Sequence, residues 1–293
     1  MWILVTLFAA ACQSMRTAYQ NSLAKEQGFL HATMARSLYG LPLVTVYLAV
    51  CYGVFGGIAF DNLALFLAAA TVCAIAQVMA TYLMLRVFQS GSFALGTLLA
   101  KTEAVLAAVL GIFVLHYPLS HWGWLGVFVG VLGALVMSLK RETLGQLHKD
   151  SSLWAGLGSG LCFAVTSVAA AMASHALEGS VMTRAALTLW YVLALQSVIL
   201  CSLQAFKQKD AFASFRGNKK LSWQVGVLSS LGSIGWFTGF ALVNPALVKT
   251  LGQIEILGTL YFSKRRFGEA IKPQQWWGGA MIVASVLLVT FGH

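Results

Sequence analysis

Apolar residues form long runs along the chain, and short polar connections separate these runs. Ten runs approach the length of about 20 residues that an α-helix, rising about 1.5 Å per residue, needs to cross a bilayer core. The pattern therefore predicts an all-α polytopic membrane protein with ten transmembrane helices. We number these spans 1 to 10, and they cover residues 2–23, 33–55, 63–87, 93–115, 122–139, 153–175, 182–206, 221–242, 246–263 and 274–291.

A polar connection between spans 5 and 6 divides the chain into two halves of five spans each. Glu103 and Glu255 lie inside apolar runs, 255 − 103 = 152 residues apart, and Trp124 and Trp276 keep the same offset. Matches in the same order along the chain favour an internal duplication. Because five is odd, the second copy enters the membrane in the opposite direction, which predicts inverted-topology repeats with a binding site between them near the midplane. The first repeat is expected at 1–143, the connection at 144–152 and the second repeat at 153–293.

The composition supports a membrane protein, since 59% of the residues are hydrophobic, 10% are charged and the mean hydropathy is +0.79. The net charge of +10 would fit nucleic-acid binding if the basic residues shared one face or arm. Most of them lie instead in or beside the connections after odd-numbered spans, and the connections after even-numbered spans carry none. By the positive-inside rule, the odd connections are cytoplasmic. We therefore expect no nucleic-acid partner, and a multi-pass protein of a bacterial-type cytoplasmic (inner) membrane with both termini on the non-cytoplasmic side.

Span 1 is predicted to be a retained helix rather than a signal peptide. No basic region precedes its apolar run, and Arg16 interrupts the residues that come after that run. The cysteines stand alone in apolar runs without metal-ligand spacing, which predicts neither a disulfide framework nor a metal site. No cofactor motif is found, so we expect no cofactor. The cysteines are Cys12, Cys51, Cys73, Cys162 and Cys201.

Carboxylates within apolar spans are the first functional candidates. A charged side chain at a bilayer centre costs roughly 2.5 to 3.5 kcal/mol on insertion scales, so Glu103 and Glu255 are expected to serve a purpose. Lys101 lies two residues before Glu103, about 200° away around a helix, and therefore cannot pair with it. We expect Arg16 to pair with Glu103, and Glu255 with Lys101. A purely structural network of ion pairs remains the alternative.

A polar face on span 1 adds candidates for a cavity lining. Gln13, Arg16 and Gln20 are spaced at i, i+3 and i+7, which places them on one side of a helix. Hydrogen bonding to a neighbouring helix is the alternative function of this face. Arg36, Arg184 and Lys249 lie near the ends of their spans, and the sequence favours interfacial positions for them. The candidate residues for substrate binding or proton coupling are Gln13, Arg16, Gln20, Gln77, Lys101, Glu103, Trp236, Gln253 and Glu255.

Glycines recur at a spacing that lets helices approach closely. Four pairs satisfy GxxxG, and we expect them to serve helix packing within or between the halves. A homodimer is the alternative use of the same spacing. The pairs are Gly53 and Gly57, Gly126 and Gly130, Gly156 and Gly160, and Gly235 and Gly239.

The two five-helix halves resemble a known family over essentially the whole chain, and the clearest local match lies near the C-terminus. Phe267-Gly268-Glu269 followed by Gln275-Trp276-Trp277-Gly278-Gly279-Ala280 is similar to the glycine–glutamate turn and final helix of EamA-like members of the drug/metabolite transporter superfamily. The resemblance implies a ten-helix carrier with a central cavity lined mainly by helices 1, 3, 4, 6, 8 and 9. The first half departs from the family pattern, with His116-Tyr117-Pro118 at the matching turn.

Three functions compete at this point. The leading hypothesis is secondary transport of a small polar or amphipathic metabolite by alternating access, with export preferred and proton coupling through Glu103 and Glu255. No P-loop is found that would indicate nucleotide hydrolysis. A flippase for a lipid-linked or amphipathic anionic substrate is the alternative. An intramembrane enzyme is disfavoured, because neither HExxH nor GxSxG occurs. The expected partners are thus a small-molecule substrate and the lipid bilayer.

Overall fold

A computed structural model describes residues 1–89, 102–138, 151–207, 217–257 and 273–291. The elements of this part of the chain are α1 (Trp2–Gln27), α2 (Phe29–Leu38), α3 (Leu41–Phe55), β1 (Ala59–Phe60), α4 (Leu63–Gln89), α5 (Glu103–Leu115), α6 (His121–Ser138), α7 (Ser151–His175), β2 (Leu177–Glu178), α8 (Val181–Lys207), α9 (Lys219–Leu242), α10 (Pro245–Gly252) and α11 (Pro273–Phe291).

Almost all of the described structure is helical, which confirms the predicted class. Among these residues, five stretches are long and apolar enough to cross a membrane. They are Phe29–Phe55, Leu63–Val87, Trp154–His175, Val181–Phe206 and Lys219–Leu242. The protein is therefore a multi-pass membrane protein. A two-residue antiparallel ladder, in which Phe60 of β1 faces Leu177 of β2, is a small exception to the all-α prediction.

Contacts between connections link the two halves of the chain. At one end, β1 and β2 join the connection after α3 to the connection after α7. Asn244, which follows α9, donates from Nδ2 to the Tyr117 carbonyl, which follows α5, at 3.2 Å. A separate contact joins the end of α1 to the residue before α9, where Asn218 Nδ2 donates to Glu26 Oε2 at 3.1 Å. These contacts bring the connections after spans 2 and 6 together, and likewise those after spans 4 and 8.

Span 2, predicted over 33–55, is found as Phe29–Phe55, and a turn at Tyr39 and Gly40 divides it into α2 and α3. Pro42 stands in the first turn of α3 and has no N–H to donate to the preceding turn. Gly40 lies at the break, against the Gly226 carbonyl of α9, and a Cβ at Gly40 would lie 3.2 Å from that oxygen. Proline thus removes a helical hydrogen bond where α9 packs closely against the backbone.

Span 9 is also interrupted, which corrects the continuous helix predicted over 246–263. The α10 helix ends at Gly252, and a turn at Gln253 and Ile254 follows before helical backbone resumes at Glu255. In this turn, the backbone N–H groups of Gln253 and Ile254 bond to carbonyls three residues earlier. Such bonds tighten a helix end. Glycine favours this end because it is a poor helix former. Residues 258–263 of the span lie outside the described residues.

The three most extensive helix contacts are those of α4 along α7, α6 along α11 and α1 along α9. Glycines bring α6 and α11 together, and Ser285 Oγ of α11 donates to the Gly126 carbonyl at 2.7 Å. A Cβ at Gly235 would lie 2.5 Å from the Val5 carbonyl of α1. The packing function predicted for two GxxxG pairs, at Gly126 and Gly235, is therefore confirmed. Around Gly53, by contrast, no atom lies within 4 Å of the position of a Cβ.

These contacts predict opposite effects for two glycine-to-alanine substitutions. A Cβ at Gly133 would lie 2.8 Å from the Gly278 carbonyl and 3.0 Å from the Ile282 nitrogen, both backbone atoms of α11. We expect Gly133→Ala to destabilise the protein by about 1–3 kcal/mol through overpacking. Gly53→Ala is the matched control and should be neutral or slightly stabilising, because alanine favours helix. Thermal unfolding of purified protein in detergent checks both, and equal effects would contradict the α6–α11 interface.

Candidate functional site

A buried ion pair joins the two halves of the chain. Lys249 Nζ of α10 lies 3.1 Å from Glu103 Oε2 of α5, and the two side chains are 9% and 13% exposed. Glu103 begins α5, where the partial positive charge of a helix N-terminus favours a carboxylate. Asn244 caps α10, since its Oδ1 accepts from the Ala246 N–H at 2.9 Å. Glu103 therefore projects from the first turn of α5, and Lys249 projects from the last turn of α10.

Aromatic rings surround the ammonium group of Lys249. Its Nζ lies 5.2 Å from the ring centroid of Trp236, 5.4 Å from Phe163 and 5.6 Å from Phe240. These distances fit cation–π attraction, which is strongest where water is excluded. Gly252 lets the Trp236 ring reach this position, because a Cβ there would collide with the ring. Helices α5, α7, α9 and α10 thus meet around one cation.

The interfacial position predicted for Lys249 is wrong, because the side chain is buried and paired. Pro245 starts α10 inside the protein, with all eight residues of the helix buried, so a lysine one turn later cannot reach the headgroups. The expected pair of Arg16 and Glu103 is also replaced, since Glu103 binds Lys249. One sequence signal pointed to Lys249: it shares a helical face with Gln253, itself a candidate, at i+4.

Arg16 lies close to two carboxylates, although neither forms an ion pair with it in the described structure. The side chain is 6% exposed and sits near the middle of α1. Both Glu255 and Glu103 are near enough to attract its charge electrostatically. Glu255 is half-buried, and its backbone carbonyl accepts from Ser14 Oγ at 3.0 Å. Lys101 lies outside the described residues, so its pairing with Glu255 stays a prediction.

The other polar residues of α1 have separate contacts. Gln13 Oε1 accepts from Trp236 Nε1 at 3.1 Å and so orients the indole that covers Lys249. Gln20 Nε2 donates to the Ala32 carbonyl of α2 at 3.1 Å, and the side chain is fully buried. Gln20 therefore makes the helix–helix hydrogen bond that the sequence left as an alternative. Only Gln13 and Arg16 of this face adjoin the ion pair.

Two further glutamines occupy different environments. Gln77 of α4 accepts from Gln196 Nε2 of α8 at 2.8 Å through its Oε1, which ties these helices together. Gln253 follows α10, is 2% exposed, and has both side-chain amide atoms without a hydrogen-bond partner in the described structure. Gln77 is thus a packing residue in this conformation. Gln253 retains its hydrogen-bonding capacity beside the helix break.

Arg36 is the residue that sequence reasoning misplaced most. Its side chain is only 3% exposed, and Nη1 donates to Thr81 Oγ1 of α4 at 2.9 Å. The interfacial expectation is wrong because α2 packs between other helices, so a position near its end still lies inside the protein. Arg184 is only partly buried, and it donates to the Leu177 carbonyl at the β ladder, 3.3 Å away.

Comparisons with known proteins add independent information. Residues 1–139 match the model of the EamA-like transporter family. A solved structure titled "Crystal structure of protein" superposes with a TM-score of 0.67 at 15% sequence identity, covering 99% of this chain and 97% of that chain. At this identity the likeness shows the fold alone. No curated protein matches the chain.

The ion pair predicts a non-additive effect on stability. Lys249→Met leaves the Glu103 carboxylate buried without a partner, and we expect a loss of about 3–5 kcal/mol. Glu103→Gln in the same protein should recover much of this loss, because no unpaired charge remains. A double-mutant cycle from thermal unfolding measures the coupling free energy between the two residues.

Lys219→Met is the matched control for this cycle, since Lys219 is exposed at the start of α9. Its effect should stay within about 0.5 kcal/mol, as is usual for surface substitutions. Additive losses in the Lys249 and Glu103 double variant would show that the two residues act independently.

Proposed function

We propose that the protein is a secondary transporter with ten transmembrane helices in two inverted repeats. The match of residues 1–139 to the model of the EamA-like transporter family supports this proposal. It moves a small polar or amphipathic metabolite across the cytoplasmic membrane by alternating access, with export as the preferred direction. The observation that carries the proposal is the buried Lys249–Glu103 pair, because it joins the halves and lies beside Arg16.

The helix packing supports inverted repeats. Spans 3 and 6 correspond to α4 and α7, and spans 8 and 1 correspond to α9 and α1. In the two repeats, α4 is equivalent to α9, and α7 is equivalent to α1. The contact between α4 and α7 is therefore equivalent to the contact between α9 and α1, and both contacts are extensive. The helices α6 and α11, which are spans 5 and 10, are equivalent to each other, and they also pack together extensively. This correspondence is the packing expected of a twofold pseudo-symmetry axis between two copies.

The ion pair suits a carrier that changes conformation. Glu103 comes from the first half and Lys249 from the second, so relative motion of the halves strains or breaks their contact. Separating buried charges without compensation is strongly unfavourable. A proton on Glu103 removes the carboxylate charge and lowers that barrier. Glu255 lies at the equivalent place of the second half and acts on Arg16 in the same way. Proton binding can therefore be coupled to the movement between inward-open and outward-open states.

Proton coupling predicts the behaviour of two glutamine variants. Solutes that raise the Tm of the purified protein in a broad metabolite screen are first selected as transport probes. In proteoliposomes, Glu103→Gln and Glu255→Gln should each abolish accumulation driven by a pH gradient while retaining part of the solute exchange. Glu178→Gln is the matched control, because Glu178 is exposed on β2 and should transport normally.

The outcomes of this experiment separate the competing functions. If both glutamine variants show normal pH-driven accumulation, neither glutamate is a required proton carrier. That result would favour a structural ion-pair network. A screen in which only polyprenyl-linked lipids stabilise the protein would favour the flippase.

The basic connections predict the orientation in the membrane. In a cysteine-free variant, a cysteine placed in the connection between Lys207 and Lys220 should resist a membrane-impermeant thiol reagent in intact cells, because that connection is cytoplasmic. A cysteine added after His293 should react. Permeabilised cells provide the control, since both positions should then be labelled. The reverse pattern in intact cells would place both termini in the cytoplasm.

A further inference from the structure

The hairpin of α1 and α2 places two buried arginines opposite each other. The two helices are antiparallel and joined at Gly28, and Gln20 bonds to the Ala32 carbonyl across the pair. Arg16 lies one turn before Gln20 in α1, and Arg36 lies one turn after Ala32 in α2. The two guanidinium groups therefore lie at the same level, and Arg16 repels Arg36 electrostatically.

Neither arginine has the partners that a buried cation normally requires. The side chains are 6% and 3% exposed, and the Nε–H of each has no acceptor in the described part of the chain. Arg36 bonds to a neutral hydroxyl, that of Thr81, and no described carboxylate forms an ion pair with it. Buried charges are ordinarily paired. This arrangement is therefore incomplete.

Helix α9 brings two more donors to the same level. The Oγ atoms of Ser229 and Ser230 are buried and have no hydrogen-bond partner among the described residues. Ser230 Oγ lies against Gly40, one turn after Arg36. On the α1 side, Gly232 of α9 packs against Cys12. Because α9 and α1 are antiparallel, Ser229, one turn before Gly232, falls near the level of Arg16.

The shared property of these four groups is a buried hydrogen-bond donor without an acceptor among the described residues. Two cationic N–H groups and two hydroxyl groups lie at neighbouring levels of three packed helices, and leaving such groups buried without partners is unfavourable. A water molecule could accept some of these bonds, but it could not balance the charge of Arg36. A carboxylate or a phosphate supplies both the negative charge and several acceptor oxygens, and two of these oxygens match the planar fork of a guanidinium group.

We propose that Arg16, Arg36, Ser229 and Ser230 form a binding site for the acidic group, a carboxylate or a phosphate, of a small organic anion. This inference rests on the proposed transport function, since the anion is then the transported solute. Arg16 connects the site to Glu255 and Glu103, so the solute binds beside the groups that carry the proton. Arg36 supplies the charge that the carboxylates do not balance.

Ligand-dependent thermal unfolding of the purified full-length chain tests the site. The protein is studied in an uncharged detergent at constant ionic strength with acetate, succinate, inorganic phosphate and glycerol 3-phosphate. Acetamide, succinamide and glycerol are the neutral counterparts. We expect at least one anion to raise the Tm in a saturable manner and its neutral counterpart to have no effect. A short-chain phosphatidylglycerol, compared with glycerol 3-phosphate, shows whether a lipid headgroup or a free metabolite supplies the acidic group.

Substitutions then locate the binding. Arg36→Gln should weaken the apparent affinity for that anion at least about tenfold, because it removes a charged hydrogen-bond donor. Arg36→Lys should also weaken it, since an ammonium group lacks the planar fork. Arg184→Gln is the matched control and should bind like the unmodified protein, because Arg184 donates to a backbone carbonyl at the β ladder. If Arg36→Gln does not fold, the double variant Ser229→Ala/Ser230→Ala, which leaves every charge in place, should weaken binding severalfold.

Several results would overturn this inference. They are equal stabilisation by the neutral counterparts, wild-type affinity in the folded Arg36 or serine variants, and an equal loss of affinity in Arg184→Gln. Failure of the transport proposal is distinguished by reconstitution. If an anion binds through Arg36 but is not transported into proteoliposomes, the binding site is supported and the transport proposal is contradicted. If no anion binds, but a neutral or cationic solute is accumulated under a pH gradient, transport stands and the anion site is wrong.

Discussion

The buried contact between Lys249 and Glu103 determines how the centre of the protein is built. A lysine or a glutamate alone would be very unfavourable in this apolar environment, so each requires the other at hydrogen-bond distance. This requirement fixes the start of α5 against α10, and three aromatic rings complete the enclosure of the ammonium group. Because the partners come from different halves of the sequence, the same contact joins two units that have few other charged links in the described structure.

Small residues make this approach possible. Helix α9 touches α1 at Gly235, the break between α2 and α3 at Gly226, and α10 through the ring of Trp236 over Gly252. A side chain at any of these glycines would hold the backbones apart, because the neighbouring atoms are backbone atoms or a packed ring. The central position of α9 thus explains why one helix contributes both to the aromatic enclosure of Lys249 and to the serines near the arginines.

The sequence predicted the helices well and the partners of buried charges poorly. Apolar run lengths located most spans, and the expected burial of Glu103 and Arg16 is found in the structure. Periodicity shows which residues share a helical face, but not which helix that face meets, so Lys249 could not be assigned to Glu103. Arg36 was misplaced for a related reason, because distance from a helix end measures depth only when the helix reaches the membrane surface. Glycine and proline in the sequence indicate that the helices can break near Gly40 and Gly252. The reason for glycine at these positions, however, is close contact with α9, which the sequence does not show.

The balance of buried charge links these features to a mechanism. The described interior contains three cations, Arg16, Arg36 and Lys249, and two carboxylates, Glu103 and Glu255, so one positive charge is in excess when all are ionised. Lys101, from its sequence position, can only increase this excess. An anion that balances it would contact α1 and α2 of the first half and α9 of the second. A ligand shifts a conformational equilibrium only if it binds one state better than the other. A solute held across both halves meets that condition, because any motion that separates α9 from the arginine hairpin removes part of its binding site.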